Sequence, residues 1–390
     1  MSELITIEFD NATFFPGFEV TGFVVIDTPE AIRADSLQIT VHGAANTQWE
    51  VLEPTFRTDS TRYNATVPRL YEGCVPYVKG TAILWNPPAG VIHAGNHRFP
   101  FRFLLPMNCA GSFDGFFGYI RYSCTANIVR LGYKGDPNAN ESINFFIVST
   151  PLDLNSIPNA SLPQQISTSK KTSFLLFNNG NLQMTVKMNK RSGVPGEFIA
   201  VEMDIINDTS YRVKKFQIKI NQSQHYHGYR QHSMLSNVNM FPALGFAGGD
   251  GKKEAEIAVY RTEEDIHIAE GGNAKMIRHV QIPDCKNTFN NCPIISQEYH
   301  LRVKLTTSGM VKTTLTAQLP LIIGNIPIGF HHTEAPVYPA THYPVAVCRP
   351  PTYNEGVLGQ ENAGNQPVPQ VKDCAYPPYY PNVTPSAPQM

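Results

Sequence analysis

The sequence lacks most of the signatures that would give it chemistry of its own. No stretch reaches the roughly 18 apolar residues that a membrane span needs, and Met1-Ser2-Glu3-Leu4 has neither the basic nor the apolar run of a secretion leader, so a soluble intracellular chain is expected. There is no Gly-x-Ser-x-Gly elbow, no His-Glu-x-x-His and no recognisable cysteine-nucleophile setting, so no catalytic residue is assigned. The seven cysteines, at 74, 109, 124, 285, 292, 348 and 374, are odd in number and form no Cys-x-x-Cys pair. They suit reduced thiols better than a disulfide framework. A dominant charge is missing too, since 31 Lys and Arg face 32 Asp and Glu, a balance that argues against a dedicated nucleic-acid binder.

What is present before residue 330 is alternation. Phe99, Phe101 and Phe103, then Met184, Val186 and Met188, Phe216, Ile218 and Ile220, and Leu301, Val303 and Leu305 recur with period two, and polar residues such as Lys215, Gln217, Arg302 and Lys304 fall between them. That pattern describes strands buried on one face of antiparallel sheets. No long helical stripe competes, and Pro16-Gly17, Pro87-Pro88, Pro195-Gly196 and Gly271-Gly272 supply turns. The expected fold is all-β, with two antiparallel β-sandwich domains. The halves start alike: Pro16-Gly17-Phe18-Glu19-Val20 and Pro195-Gly196-Glu197-Phe198-Ile199 are each followed about twenty residues later by Leu37-x-Ile39-x-Val41 and Phe216-x-Ile218-x-Ile220. The predicted divisions are a sandwich over 1–150, a Pro-, Ser- and Asn-rich connection over 151–171, a second sandwich over 172–330 and a disordered tail over 331–390.

The tail holds 12 of the 31 prolines and six of the 17 tyrosines but only six charged residues, too little apolar periodicity to offset chain entropy. It carries Pro-Pro-x-Tyr twice, as Pro350-Pro351-Thr352-Tyr353 and Pro377-Pro378-Tyr379-Tyr380. Paired prolines pre-set polyproline II, and a tyrosine three positions on returns to the same face. Both copies resemble the ligand of WW domains. Composition alone gives roughly 0.2 accidental matches, so two copies are improbable by chance. Pro385-Ser386-Ala387-Pro388 resembles the P-[S/T]-A-P ligand of the ubiquitin-variant domain in ESCRT-I, and is a candidate ESCRT-I site.

An ordered series of residues then resembles the arrestin fold, and within it the arrestin-domain-containing proteins, or α-arrestins. In the first half these are Pro16-Gly17, Gly22, His42-Gly43 with Trp49, Ala94-Gly95-Asn96-His97-Arg98-Phe99-Pro100-Phe101 to Leu105-Pro106, Ser112-Phe113-Asp114-Gly115 and Gly118-Tyr119-Ile120-Arg121-Tyr122. In the second they are Val194-Pro195-Gly196-Glu197, Asn207 with Ser210, Arg212-Val213-Lys214, Gln222, Cys292-Pro293-Ile294-Ile295 before Tyr299, and Leu319 to Pro327. The resemblance implies a cytoplasmic adaptor without cofactor, recruited peripherally to plasma membrane and endosomes. Its sandwiches would meet a membrane receptor or transporter cargo, and its tail would bring a WW-domain HECT ubiquitin ligase, sending the cargo into endocytosis. The alternative is an endosomal scaffold resembling the arrestin-like retromer subunits, with no ligase recruitment. No charged phosphate-sensing residues of the β-arrestin branch can be placed.

Other clusters give less. His225-Tyr226-His227 puts two imidazoles on one strand face, with His232 downstream, but no Cys or carboxylate joins at ligand spacing, so no metal is expected. His331-His332 fares no better. Gly245-Phe246-Ala247-Gly248-Gly249-Asp250-Gly251-Lys252 misses the phosphate-loop spacing and reads as an inter-strand loop. Lys214 and Lys215 could touch acidic lipid, against which stands an ordinary solvated strand face.

Overall fold

Period-two alternation produces strands almost everywhere. The computed structural model describes residues 4–55, 65–86, 90–130, 141–174, 177–230, 250–308, 313–329 and 345–346. The first half contributes β1 (Leu4–Phe9), β2 (Thr13–Phe14), β3 (Glu19–Thr28), β4 (Ile32–Arg33), β5 (Ser36–Thr55), β6 (Ala65–Trp85), β7 (Val91–Ile92), β8 (Gly95–Leu104), β9 (Phe113–Asp114), β10 (Gly118–Val129) and β11 (Glu141–Val148). The second contributes β12 (Gln164–Phe174), β13 (Phe177–Met188), β14 (Ser192–Gly193), β15 (Phe198–Asn207), β16 (Val213–Arg230), β17 (Asp250–Ile268), β18 (Gly272–Gln281), β19 (Ile295–Thr307) and β20 (Thr314–Ile323). A last strand, β21 (Val345–Ala346), runs parallel to Arg102–Phe103 of β8. No helix of the described residues is long and apolar enough to cross a membrane.

Two cores follow from these strands. In the first half the sheet β1-β3-β8-β21 shares a core with β6-β5-β10-β11-β2, mostly aliphatic but with a cluster of aromatic rings. Phe9 lies 5.3 Å from Phe146 and 6.0 Å from both Phe14 and Phe101, ring centroid to ring centroid, mostly edge-on as ring quadrupoles prefer. In the second half β12-β13-β15-β18 shares a mainly aliphatic core with β16, β19 and β20, built from the alternating Met184, Val186, Met188, Phe216, Ile218, Ile220, Leu301, Val303 and Leu305. All of these are buried, whereas Phe99 is only half-buried at the start of its alternating run. Each full burial contributes roughly 1.5–3 kcal/mol, so a one-residue register slip would forfeit a whole face.

The internal repeat is a repeat of backbone chemistry. Gly17 and Gly196 both sit at left-handed φ, +83° and +90°, where a side chain is strained. Gly17 N–H donates to Leu105 O and Leu105 N–H to Phe18 O, both at 3.0 Å; Gly196 N–H donates to Ile282 O at 2.9 Å and Ile282 N–H to Glu197 O at 2.8 Å. The short strands just before the turns also correspond, since β2 pairs in parallel with β11 and β14 in parallel with β20.

The stretch between the halves differs from the expected open connection. Residues 164–171 belong to β12, paired with β13 from Gln164↔Met188 through Lys171↔Asn181. Its Ser, Thr and Lys content reads as linker because β12 is an edge strand with mostly exposed side chains. Ahead of it, a 3-10 turn at Leu154–Ser156 is fastened to the end of β20: Leu154 N–H donates to Ile326 O, Asn325 N–H to Leu152 O, and Leu152 N–H to Asn325 Oδ1.

Candidate functional site

The two halves are joined by hydrogen-bonded strand. At the far end of β16, Tyr229 and Arg230 pair with Glu72 and Tyr71 of β6, which makes one sheet path from β14 through β16 and β6 to β2. Thr47 Oγ1 donates to His227 O at 2.7 Å, and His227 N–H donates to Ile294 O at 2.9 Å. Trp49 stacks on Tyr71 with centroids 5.7 Å apart, and Gly228 lies where any Cβ would meet the Trp49 ring at 2.9 Å. Glu53 collects the charges: its carboxylate accepts Tyr71 Oη at 2.9 Å and faces Arg230 Nη2 at 3.2 Å and Arg69 Nε at 3.9 Å. The hydrogen bond to Glu53 is the main cause that raises the Tyr71 phenol above its ordinary value.

Tyr226 completes the junction from inside. Fully buried, it accepts the Phe116 N–H at 2.9 Å and donates to Gln224 Oε1. Burial raises its pKa, so the hydroxyl keeps its proton and its two roles. Gly115 is required by this contact more than by the turn itself, because a Cβ there would come within 2.1 Å of Tyr226 Oη. The sequence marked His225 and His227 on either side of Tyr226. They do share a strand face, and His225 Nε2 lies 4.0 Å from Glu298 Oε2, a carboxylate that spacing alone missed. No group of three metal-ligating side chains occurs among the described residues. His232 and His331-His332 lie outside them.

Residues marked by the sequence series hold turns and loops together. Asn207 is fully buried; its Nδ2 donates to Tyr211 O and Ala269 O while its Oδ1 accepts Thr209 Oγ1 at 2.7 Å. Glu197 Oε2 accepts the Val194 N–H at 2.9 Å, and Ser112 Oγ the Val148 N–H at 3.0 Å. Gln222 Nε2 donates to Gln297 Oε1, and Gln297 in turn donates to Asn287 O at 3.1 Å. Tyr299 Oη donates to Lys286 O at 2.7 Å. Ile294 and Ile295 come from the second half yet are buried in the core of the first. Burial pushes the Cys109 thiol up to about 11, opposite to what a nucleophile needs.

Surface charge is mostly spent within the sheets. Lys215 Nζ is 2.9 Å from Glu263 and 3.7 Å from Asp265, and Glu263 also accepts from Arg261 and Gln217. Lys214 is exposed. Asp250, Gly251 and Lys252, read as part of a loop, belong to β17, where they pair with Tyr229, Gly228 and His227. The rest of that glycine-rich segment lies outside the described residues, as do Pro350 to Tyr353, Pro377 to Tyr380 and Pro385 to Pro388.

The family model for the arrestin (or S-antigen) N-terminal domain matches residues 5–155, and that for the arrestin C-terminal domain matches residues 178–328. The chain belongs to the arrestin family, in its α-arrestin branch. Arrestin domain-containing protein 1 of Mus musculus is 25% identical over 322 residues, which are 82% of this chain and 63% of the mouse protein, so the chain spans less than two thirds of that relative. Arrestin domain-containing protein 4 of Mus musculus is 26% identical over 380 residues, 92% of this chain and 82% of its own length. Arrestin domain-containing protein 17 of Caenorhabditis elegans is 24% identical over 320 residues, 80% and 68% of the two chains. In this arrestin chain the junction residues Glu53, Tyr71 and Arg230 escaped sequence reasoning, since partners some 160 positions apart leave no local pattern. Tyr226 was hidden between two more conspicuous histidines.

Proposed function

We propose that this α-arrestin is a cytoplasmic adaptor that links a membrane receptor or transporter to a WW-domain HECT ubiquitin ligase. The supporting observation is the pair of tail motifs ending in Tyr353 and Tyr380, attached to an arrestin body. A WW groove takes the prolines in one aromatic slot and the tyrosine in another, and polyproline II binds with little entropy left to lose. Twenty-seven positions separate the two tyrosines. A linker of that length would span about 25–30 Å if it behaved as a random coil, enough to engage neighbouring WW domains and raise avidity about 10²-fold. Catalysis then belongs to the recruited ligase, and this chain needs neither metal nor cofactor. Ubiquitinated cargo would enter endocytosis, which places the adaptor at plasma membrane and endosomes. With the second sandwich begun at β12, the chain divides into two cargo-facing sandwiches and an output tail.

The test is capture of tandem WW domains by the full chain and by Tyr353→Ala, Tyr380→Ala and the double variant. Each single variant should bind more weakly and the double should not bind; undiminished capture by the double variant rules the reading out. A coat-type scaffold would instead keep its function after deletion of residues 331–390. Pro385-Ser386-Ala387-Pro388 favours a second output, capture by ESCRT-I, which Pro385→Ala with Pro388→Ala should abolish.

A further inference from the structure

We propose that β21 straps the chain to the edge of β8 and so makes the two Pro-Pro-x-Tyr motifs unequal. The motif ending in Tyr353 is held back from a WW domain while the strap is seated; the motif ending in Tyr380 is not. The proposal rests on the adaptor reading and adds to it an order of engagement.

The seat lies at the far edge of its sheet. In the order β1-β3-β8-β21, β8 pairs with β3 from Glu19↔Leu104 to Thr28↔Gly95. Among the described residues its other edge is taken only by Val345 and Ala346, parallel to Arg102 and Phe103. The edge itself is firm, because Phe101 and Phe103 are fully buried and Arg102 reaches Glu19 at 3.5 Å. Prolines keep the seat short: Pro100 brings no N–H to β8, and Pro344 and Pro350 bracket the strand-prone Val345-Ala346-Val347.

Spacing along the chain turns this seat into a control. Only four positions separate Ala346 from Pro350, whereas 34 separate it from Tyr380. Four residues reach at most about 14 Å even when fully extended, while 34 would span about 30 Å as a random coil. A folded domain of about 50 residues already has a radius of gyration of about 10 Å. A WW domain closing on Pro350 and Pro351 therefore competes for space with the sandwich, and one closing on Pro377 and Pro378 does not. Two paired residues hold weakly, so the strap sets a bias and not a block: the apparent affinity of the first motif falls in proportion to the fraction of chains with the strap released. The Tyr380 motif is engaged first, and a neighbouring WW domain, now at high local concentration, draws the Tyr353 motif off the sandwich.

Calorimetry with a single isolated WW domain tests this on full chains that keep one motif each, compared with free peptides of the same motifs. The Tyr380→Ala chain, which keeps the first motif, should bind at least about fivefold more weakly than its peptide. Adding Ala346→Pro, which removes an N–H and bars strand pairing, should bring it within about twofold of the peptide at an unchanged melting temperature. The Tyr353→Ala chain should match its own peptide with or without Ala346→Pro. Hydrogen exchange on the unliganded chain should show protection at Val345 that Ala346→Pro abolishes. Equal affinity of chain and peptide for the first motif, no gain from Ala346→Pro, equal weakening of both motifs, or an unprotected Val345 would overturn the strap and leave WW recruitment standing. Failure of both peptides to bind would instead bring down the adaptor reading and the strap with it.

Discussion

The Phe116 amide and the Tyr226 hydroxyl meet at 2.9 Å although 110 positions separate them, and this bond fixes a turn of the first half to a strand of the second. Removing the hydroxyl in Tyr226→Phe leaves a donor with no replacement and should cost about 1–3 kcal/mol. Gly115→Ala should cost a similar amount, about 1–3 kcal/mol, by overpacking against that hydroxyl and the Phe113 ring. Because one atom is shared, the two effects should not add: in a Tyr226→Phe background the Gly115→Ala penalty should shrink by about 1 kcal/mol. Urea melts of the four proteins read the cycle, and strict additivity would show that the clash lies elsewhere.

The Glu53 carboxylate offers a weaker tie between the halves. Its Arg230 contact is about one third exposed on both sides, so a double-mutant cycle of Glu53→Ala and Arg230→Ala should give roughly 0.2–1 kcal/mol. That coupling should fall in about 1 M salt, where screening acts within a few ångströms. A coupling that survives salt unchanged would mean that packing, with Tyr71 stacked on Trp49, holds this contact and charge does not.

Two groups give opposite charges a pH signature of the same sign. Glu263 is held down at about 2 from 4.5, first by its hydrogen bond to Lys215 and then by Arg261 and Gln217. Its ionised form therefore favours the folded chain fully above pH 4.5, and this contribution is lost as pH falls towards about 2. Carboxyl NMR should show the low midpoint, and Lys215→Ala should raise it. His42 is pushed below 6.5 by burial and then by the Lys79 charge. Its neutral form favours folding above pH 6.5, and stability declines as acid forces a proton on the unfolded chain first. His42→Gln should flatten the difference between melts at about pH 7.5 and about pH 5.5; an unchanged difference would place the acid sensitivity in other groups.

Period-two runs such as Phe216, Ile218 and Ile220 made the all-β fold legible, because burial of one face dictates where apolar residues stand. The paired Pro-Gly turns were legible for a similar local reason: only glycine takes the left-handed φ at 17 and 196 without strain. β12 was not, since an edge strand that exposes Ser167, Ser169 and Lys171 carries the composition of a linker. The junction was illegible for a third reason. Tyr71 and Arg230 pair across strands of different halves, and neither neighbourhood encodes the other. The exposed apolar stripe on β11 was present in the letters as Ile143, Phe145 and Ile147, but a core strand would read the same.

Phosphorylation should silence the tail motifs one at a time. On the proposed reading Tyr353 or Tyr380 would enter a WW pocket that is apolar around the ring, and a phosphate there would bring about −1.5 to −2 charges that must be desolvated without a partner. A phosphorylated peptide of either motif should bind an isolated WW domain at least roughly tenfold more weakly than the plain peptide. In the full chain the consequence is steeper, because losing one of two tethered ligands removes the avidity of about 10²-fold as well as that ligand's own contribution. Calorimetry with tandem WW domains against chains phosphorylated at neither, one or both tyrosines should therefore show a large first drop and then no measurable binding. Equal affinity of plain and phosphorylated peptides would mean that the tyrosine does not enter an apolar pocket, and a first drop no larger than that of the isolated peptide would mean that the two motifs never bind together.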